Sequence, residues 1–237
     1  MPILTAASTK GGVGKTTIAV NAAIELSRQG VSVALLDGDP QGSVSKWNLV
    51  REASRLEGEK LDSIFVASAQ GESLLQLALE RSRQGEWVII DSAGVDHIST
   101  RNALLRTDSI LTLAAPSPRD LWEVDTLIKL AKNLGQVQSR RIPTLLLFNK
   151  VSTNPNVKGV AEAIEFLNEA MIYPDFVFET CVKDRIVYQH SIREGKGVAE
   201  FTPINADARQ EIAGVCNELL NFHGQQSAKA QQPSIQS

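Results

Sequence analysis

The chain has 237 residues, of which 43% are hydrophobic and 22% charged, enough to bury a core in one α/β domain or at most two small ones. A formal net charge of −3 excludes a polycation, so any contact with nucleic acid has to come from a local patch. Two distant cysteines, Cys181 and Cys216, exclude a zinc spacing and a disulfide framework and point to a reduced, cytoplasmic setting; with neither a signal-peptide pattern after Met1 nor a run of roughly 18 apolar residues, no membrane attachment is expected.

In chain order, Ile3 to Ala7 reads as a first strand, and Thr16 to Arg28 as a helix with Ile18, Ala22 and Leu26 on one face and Gly30 ending it. Val31 to Leu36 is a buried strand stopping at Asp37, and Gly42 to Ala53 a helix. Ile64 to Val66 is a short strand and Ser73 to Ser82 a helix. Trp87 to Ile90 is an apolar strand stopping at Asp91. Ile98 to Leu105 reads as a helix and Ser109 to Ala114 as a strand. Leu121, Val124, Ile128 and Ala131 mark a helix from Asp120, and Thr144 to Phe148 a strand ending at Asn149. Val157 to Ala170 is helical, Phe176 to Phe178 extended, and Ile204 to Phe222 a last helix. This alternation predicts one α/β domain over 1–223, a mostly parallel twisted sheet with helices on both faces. The Gln-, Ser- and Ala-rich stretch 224–237 is expected to be a disordered tail.

The first strand runs into Lys10-Gly11-Gly12-Val13-Gly14-Lys15-Thr16-Thr17 and then a helix. Glycines there let main-chain N–H groups converge on phosphate oxygens, and the helix start adds its positive dipole end. Lys15 can reach the β- and γ-phosphates and the Thr16 hydroxyl can ligate Mg²⁺, the pattern of a P-loop NTPase that takes ATP with Mg²⁺. A dinucleotide fingerprint on Gly12 and Gly14 would need a third glycine where Thr17 stands, so that alternative fails.

In detail the loop resembles the deviant Walker A box of the ParA/MinD ATPases, which allows Thr9 in place of the first glycine and carries Lys10 as its signature lysine. The resemblance implies that Lys10 crosses a dimer interface to the phosphates held by the other subunit, neutralising charge on the transferring group. Asp37-Gly38-Asp39-Pro40-Gln41 resembles the family's Asp-x-Asp-Pro-Gln segment, which gives Asp39 the role of orienting the attacking water and holding Mg²⁺, with Asp37 supporting the loop; alone it is also a good turn sequence. Val88 to Asp91 has the Walker B pattern, so Asp91 is expected at the metal and Gly94 to offer an N–H to the γ-phosphate. Ser92-Ala93-Gly94 and Ala114-Ala115-Pro116-Ser117-Pro118 are similar to the short ParF-like partition ATPases.

Asn149 is expected to read the adenine edge, with helix capping as the alternative, and Phe201 and Pro203 to form the other wall of the base site. Lys183, Arg185, Arg193 and Lys196 form a candidate DNA-binding patch; Arg185, Gln189 and Arg193 recur every fourth residue and share a helix face. A solvated helix face fits those residues equally. The resemblance implies an ATPase that forms an ATP-dependent homodimer, binds nucleoid DNA non-specifically, answers to a small centromere-binding or adaptor protein, and drives partition of DNA. Positioning of a protein cargo and a MinD-like membrane ATPase are the alternatives.

Overall fold

The structure, a computed structural model, describes residues 1–95 and 98–231. Its elements in order are β1 (Ile3–Ser8), α1 (Lys15–Arg28), β2 (Val33–Gly38), α2 (Ser43–Leu56), β3 (Phe65–Ser68), α3 (Gly71–Arg83), β4 (Trp87–Gly94) and α4 (Ile98–Leu104). There follow β5 (Ser109–Ala114), α5 (Pro118–Val137), β6 (Thr144–Phe148), α6 (Gly159–Glu169), β7 (Phe176–Val177), α7 (Ile186–Arg193) and α8 (Ala206–Gln231). The strands make one sheet of order β3-β2-β4-β1-β5-β6-β7, and every pairing is parallel.

The strands are apolar throughout because both faces are covered. Alternate residues serve opposite cores. Leu4, Leu35, Ile89, Leu111 and Leu145 pack with α1 and α8 on one face, while Ile3, Ala34, Leu36, Val88 and Ile90 pack beneath α3 and α4 on the other. A smaller core joins α5 and α6 to Leu146 and Phe148.

β1 lies between β4 and β5. The chain winds to one side of β1 through β2, β3 and β4, and to the other through β5, β6 and β7. The loop after β1 therefore opens at the topological switch point, where crossovers diverge and leave a crevice.

Most boundaries shift by one to three residues, and two differences bear on the argument. β4 continues past Asp91 to Gly94, because Gly94 pairs with Ser8 across a bulge in β1. The last helix runs through Gly224 to Gln231, where a disordered tail is expected. Gln225, Gln226, Ala228 and Lys229 are ordinary to good helix formers; residues 232–237 lie outside those described.

Candidate functional site

The loop between β1 and α1 closes with Gly12 at φ +75° and Gly14 at φ +99°, left-handed values at which a side chain is strained. Gly14 is also the residue that caps α1. A Cβ there would lie 2.4 Å from the Asn149 amide nitrogen, so the position excludes side chains twice over.

Lys15, first residue of α1, turns back and donates to Ser8 Oγ at 3.0 Å, and Ser8 Oγ donates to the Lys10 carbonyl at 2.7 Å. Burial pushes the Lys15 ammonium below its usual pKa, against the opposing pull of Asp91 and Asp39. Thr16 Oγ1 donates to Asp91 Oδ2 at 2.6 Å. Burial raises Asp91 to about 7, against the Thr16 hydrogen bond and the Lys15 charge, and Asp37 and Asp39 push the same way as burial. Asp91 Oδ1 is buried with no hydrogen-bond partner, as is Thr9 Oγ1. An orphaned carboxylate oxygen beside a hydroxyl is a hard oxygen donor set, which suits Mg²⁺ and its water shell.

Asp37 and Asp91 are cross-strand neighbours on β2 and β4, but they differ in task. Asp37 Oδ2 accepts from Ser45 N at 2.7 Å and Ser45 Oγ at 2.6 Å, so it caps the first turn of α2, whose own N-cap, Gly42, has no side chain. Asp39 Oδ1 accepts from Gln41 N at 2.9 Å. Its carboxylate is a turn residue and also acts electrostatically on Lys15 and Asp91.

Lys10 points away from its own loop. Its Nζ donates to Asp120 Oδ1 at 2.7 Å, and the side chain is 41% exposed. Asp120 lies in the first turn of α5, which starts Ser117-Pro118: Ser117 Oγ accepts from Asp120 N at 3.3 Å and Pro118 needs no donor partner. Nothing in the sequence signals the Lys10–Asp120 pair.

Asn149 Nδ2 donates to the Val13 carbonyl at 2.7 Å, and Lys150 Nζ to the Gly12 carbonyl at 2.8 Å. Both residues following β6 thus prop the loop from outside. Beside them is a narrow cleft of about 60 Å³ between Gly14, Thr17 and Asn149 on one side and Val182, Lys183 and Tyr188 on the other.

Phe201 and Pro203 do not line this cleft. Phe201 is buried in the core beneath α1, with the His190 ring 6.5 Å away, and Pro203 is exposed. The far side of the cleft is formed by the segment before α7 and by Tyr188 of that helix. There Glu211 of α8 accepts from Arg185 Nε at 2.9 Å and Tyr188 OH at 2.8 Å.

The candidate basic patch is also altered. Arg185 is paired with Glu211 and Asp207, and Lys196 with Glu59 and Glu194. Four carboxylates remote or adjacent in sequence neutralise two of the four cations. Arg193 stays exposed and Lys183 half-buried, and neither forms an ion pair among the described residues. A larger cleft, about 790 Å³, lies at the opposite edge of the sheet beside Met1, Arg140 and His223. It has no glycine loop, and the convergence of Lys15, the Thr16 hydroxyl and the Asp91 carboxylate marks the P-loop edge as the candidate site.

A family profile described as "CobQ/CobB/MinD/ParA nucleotide binding domain" matches residues 4–198. The chain is 28% identical over 218 residues to a maintenance of carboxysome distribution protein A from Halothiobacillus neapolitanus, covering 92% of this chain and 95% of that one. It is 27% identical over 227 residues to a chromosome-partitioning ATPase Soj from Thermus thermophilus, covering 85% and 89%. Its fold matches a Cyanothece McdA–ATP complex with a TM-score of 0.68 at 19% identity, covering 92% and 96%.

Proposed function

Since the chain belongs to the CobQ/CobB/MinD/ParA family of nucleotide-binding domains, we propose that it is a ParA-type ATPase that turns over Mg²⁺-ATP in a nucleotide-driven homodimer to position a cargo. The observation that carries this reading is Lys10. Its ammonium sits 2.7 Å from Asp120, whereas Lys15 bonds Ser8 beside the loop, so the signature lysine is not engaged with its own loop and is available to another copy.

Main-chain N–H groups from Gly11 to Thr17 and the Lys15 ammonium grip the β- and γ-phosphates. The residues that would hold magnesium are Thr16 directly, with Asp91 and Asp39 through water; the ion supplies charge neutralisation to the phosphates. Asp39, in the turn after β2, orients the attacking water. Lys10, released from Asp120, stabilises charge on the partner's transferring phosphoryl group. Asn149 and the cleft beside it take the adenine, and Gly94, at the end of β4, senses the γ-phosphate.

On this reading the protein is cytoplasmic and nucleoid-associated, its dimer holds DNA through Lys183 and Arg193 from both copies, and an adaptor protein stimulates hydrolysis. A protein cargo is the second reading, favoured by likeness to a carboxysome distribution protein along nearly the whole chain. DNA binding measured with and without ATP tests the switch, and equal affinity in both states sinks it. Retention of nucleotide-dependent self-association and turnover by Lys10→Ala sinks the shared site.

A further inference from the structure

A cleft of about 250 Å³ opens between the first turn of α5 and the outer face of α6. Pro116, Pro118 and Phe166 line it, together with Glu162, Glu165 and Glu169 of α6. The glutamates recur at three- and four-residue spacing, so they stand on one side of α6. Trp122, one turn after Pro118 on α5, extends the apolar wall. Its ring meets Phe166 edge-on at 5.9 Å between centroids, yet it remains 60% exposed.

Tryptophan is strongly buried on average, so a largely solvated indole beside an apolar cleft is the informative exception. Among the described residues no ion pair involves any of the three glutamates, and no cation lies over Trp122. The surface combines an open aromatic face with three uncompensated carboxylates.

We propose that this groove docks a cationic segment of a partner polypeptide. Arginine or lysine heads meet Glu162, Glu165 and Glu169, and one guanidinium or aliphatic stem lies on the Trp122 face. Charge selects the occupant. A second copy whose two-fold axis passed through this groove would bring the glutamates of both copies together, and nucleic acid would be repelled. Asp120, two residues before Trp122, holds Lys10, so a segment seated here touches the helical turn that tethers that lysine. Identifying the partner as the one that stimulates hydrolysis rests on the proposed ATPase function; the docking does not.

Trp47 and Trp87 are 2% and 4% exposed, so of the three tryptophans in the chain Trp122 is the solvent-facing fluorophore. The full chain, without nucleotide, is titrated with a synthetic peptide of alternating arginine and serine while tryptophan emission is followed. A saturable change is expected that disappears in Trp122→Phe. The combined variant Glu162→Gln, Glu165→Gln, Glu169→Gln should bind at least tenfold more weakly by peptide anisotropy, whereas neutralising Glu52, Glu57 and Glu72 elsewhere should alter affinity less than twofold. Equal affinity for the first variant, or binding without an emission change, overturns the proposal. Emission that depends on protein concentration alone also overturns it, because a second copy then covers the groove. A chain that binds the peptide as described but hydrolyses no ATP refutes the proposed function and leaves the docking surface standing.

Discussion

Lys10 and Asp120 form a pair that is half in solvent, and exposed pairs of this kind contribute about 0–1 kcal/mol. The lysine is therefore held loosely and is easily withdrawn. Asp120→Asn should lower the protein concentration needed for ATP-dependent self-association by a few fold, measured by light scattering. Lys10→Ala should abolish turnover while leaving ATP affinity within a few fold, because its own cradle keeps Lys15. Gly14 is the stricter position. With a left-handed backbone and the Asn149 amide 2.4 Å from any Cβ, Gly14→Ala should cost about 1–2 kcal/mol of stability from backbone strain alone. It should also remove detectable nucleotide binding in a filter or fluorescence assay. The P-loop chemistry was legible in the sequence because it is local: eight consecutive residues carry it. Asp120 and the propping role of Asn149 were not, since each depends on a contact more than a hundred residues away. The burial of Phe201 was not legible either, since the core that covers it is gathered from α1, α7 and α8.

Between elements, the firmest tie is polar. Arg51 of α2 and Glu200 are 1% and 3% exposed, joined by two hydrogen bonds of 2.8 and 2.7 Å. Both terminal nitrogens are used twice and the acid is held from the main chain: Arg51 also donates to the Gly195 and Asp62 carbonyls, and Glu200 accepts from Asp62 N and Gly197 N. Burial would raise the Glu200 carboxyl, but Arg51 overcomes it and holds the acid below its ordinary range. Glu200→Ala would strand the Arg51 charge and should destabilise the fold by about 3–5 kcal/mol in urea denaturation. α8 is joined to β5 differently, through His223 Nε2 and Ser109 Oγ at 3.0 Å, with Trp87 against the imidazole. Burial lowers His223 from 6.5 to about 4, with Asp108 opposing. Between those values the unfolded chain takes up a proton that the folded chain refuses, so stability falls as pH drops from about 6.5 to about 4. The loss is on the order of 3 kcal/mol, and His223→Gln should flatten that part of the pH profile of chemical denaturation. The helix–strand alternation itself was legible from apolar periodicity. The neutralisation of Arg185 and Lys196 was not, because Glu211 and Glu59 approach them only in the folded chain.

For the whole molecule, the proposed shared site makes turnover a property of two chains. Specific activity should rise with protein concentration through a transition that coincides with dimer formation in sedimentation, and Lys10→Ala should remain monomeric at every ATP concentration. The order of the sheet also governs when a site can exist at all. β1 finds its neighbours only in β4 and β5, and the supports for its following loop come from residues beyond β6. During synthesis, the glycine loop emerges early but stays without flanking strands or props until about two thirds of the chain has left the ribosome. A nascent chain halted before β6 should therefore be protease-sensitive with or without ATP, and nucleotide can act as a folding ligand only late in translation.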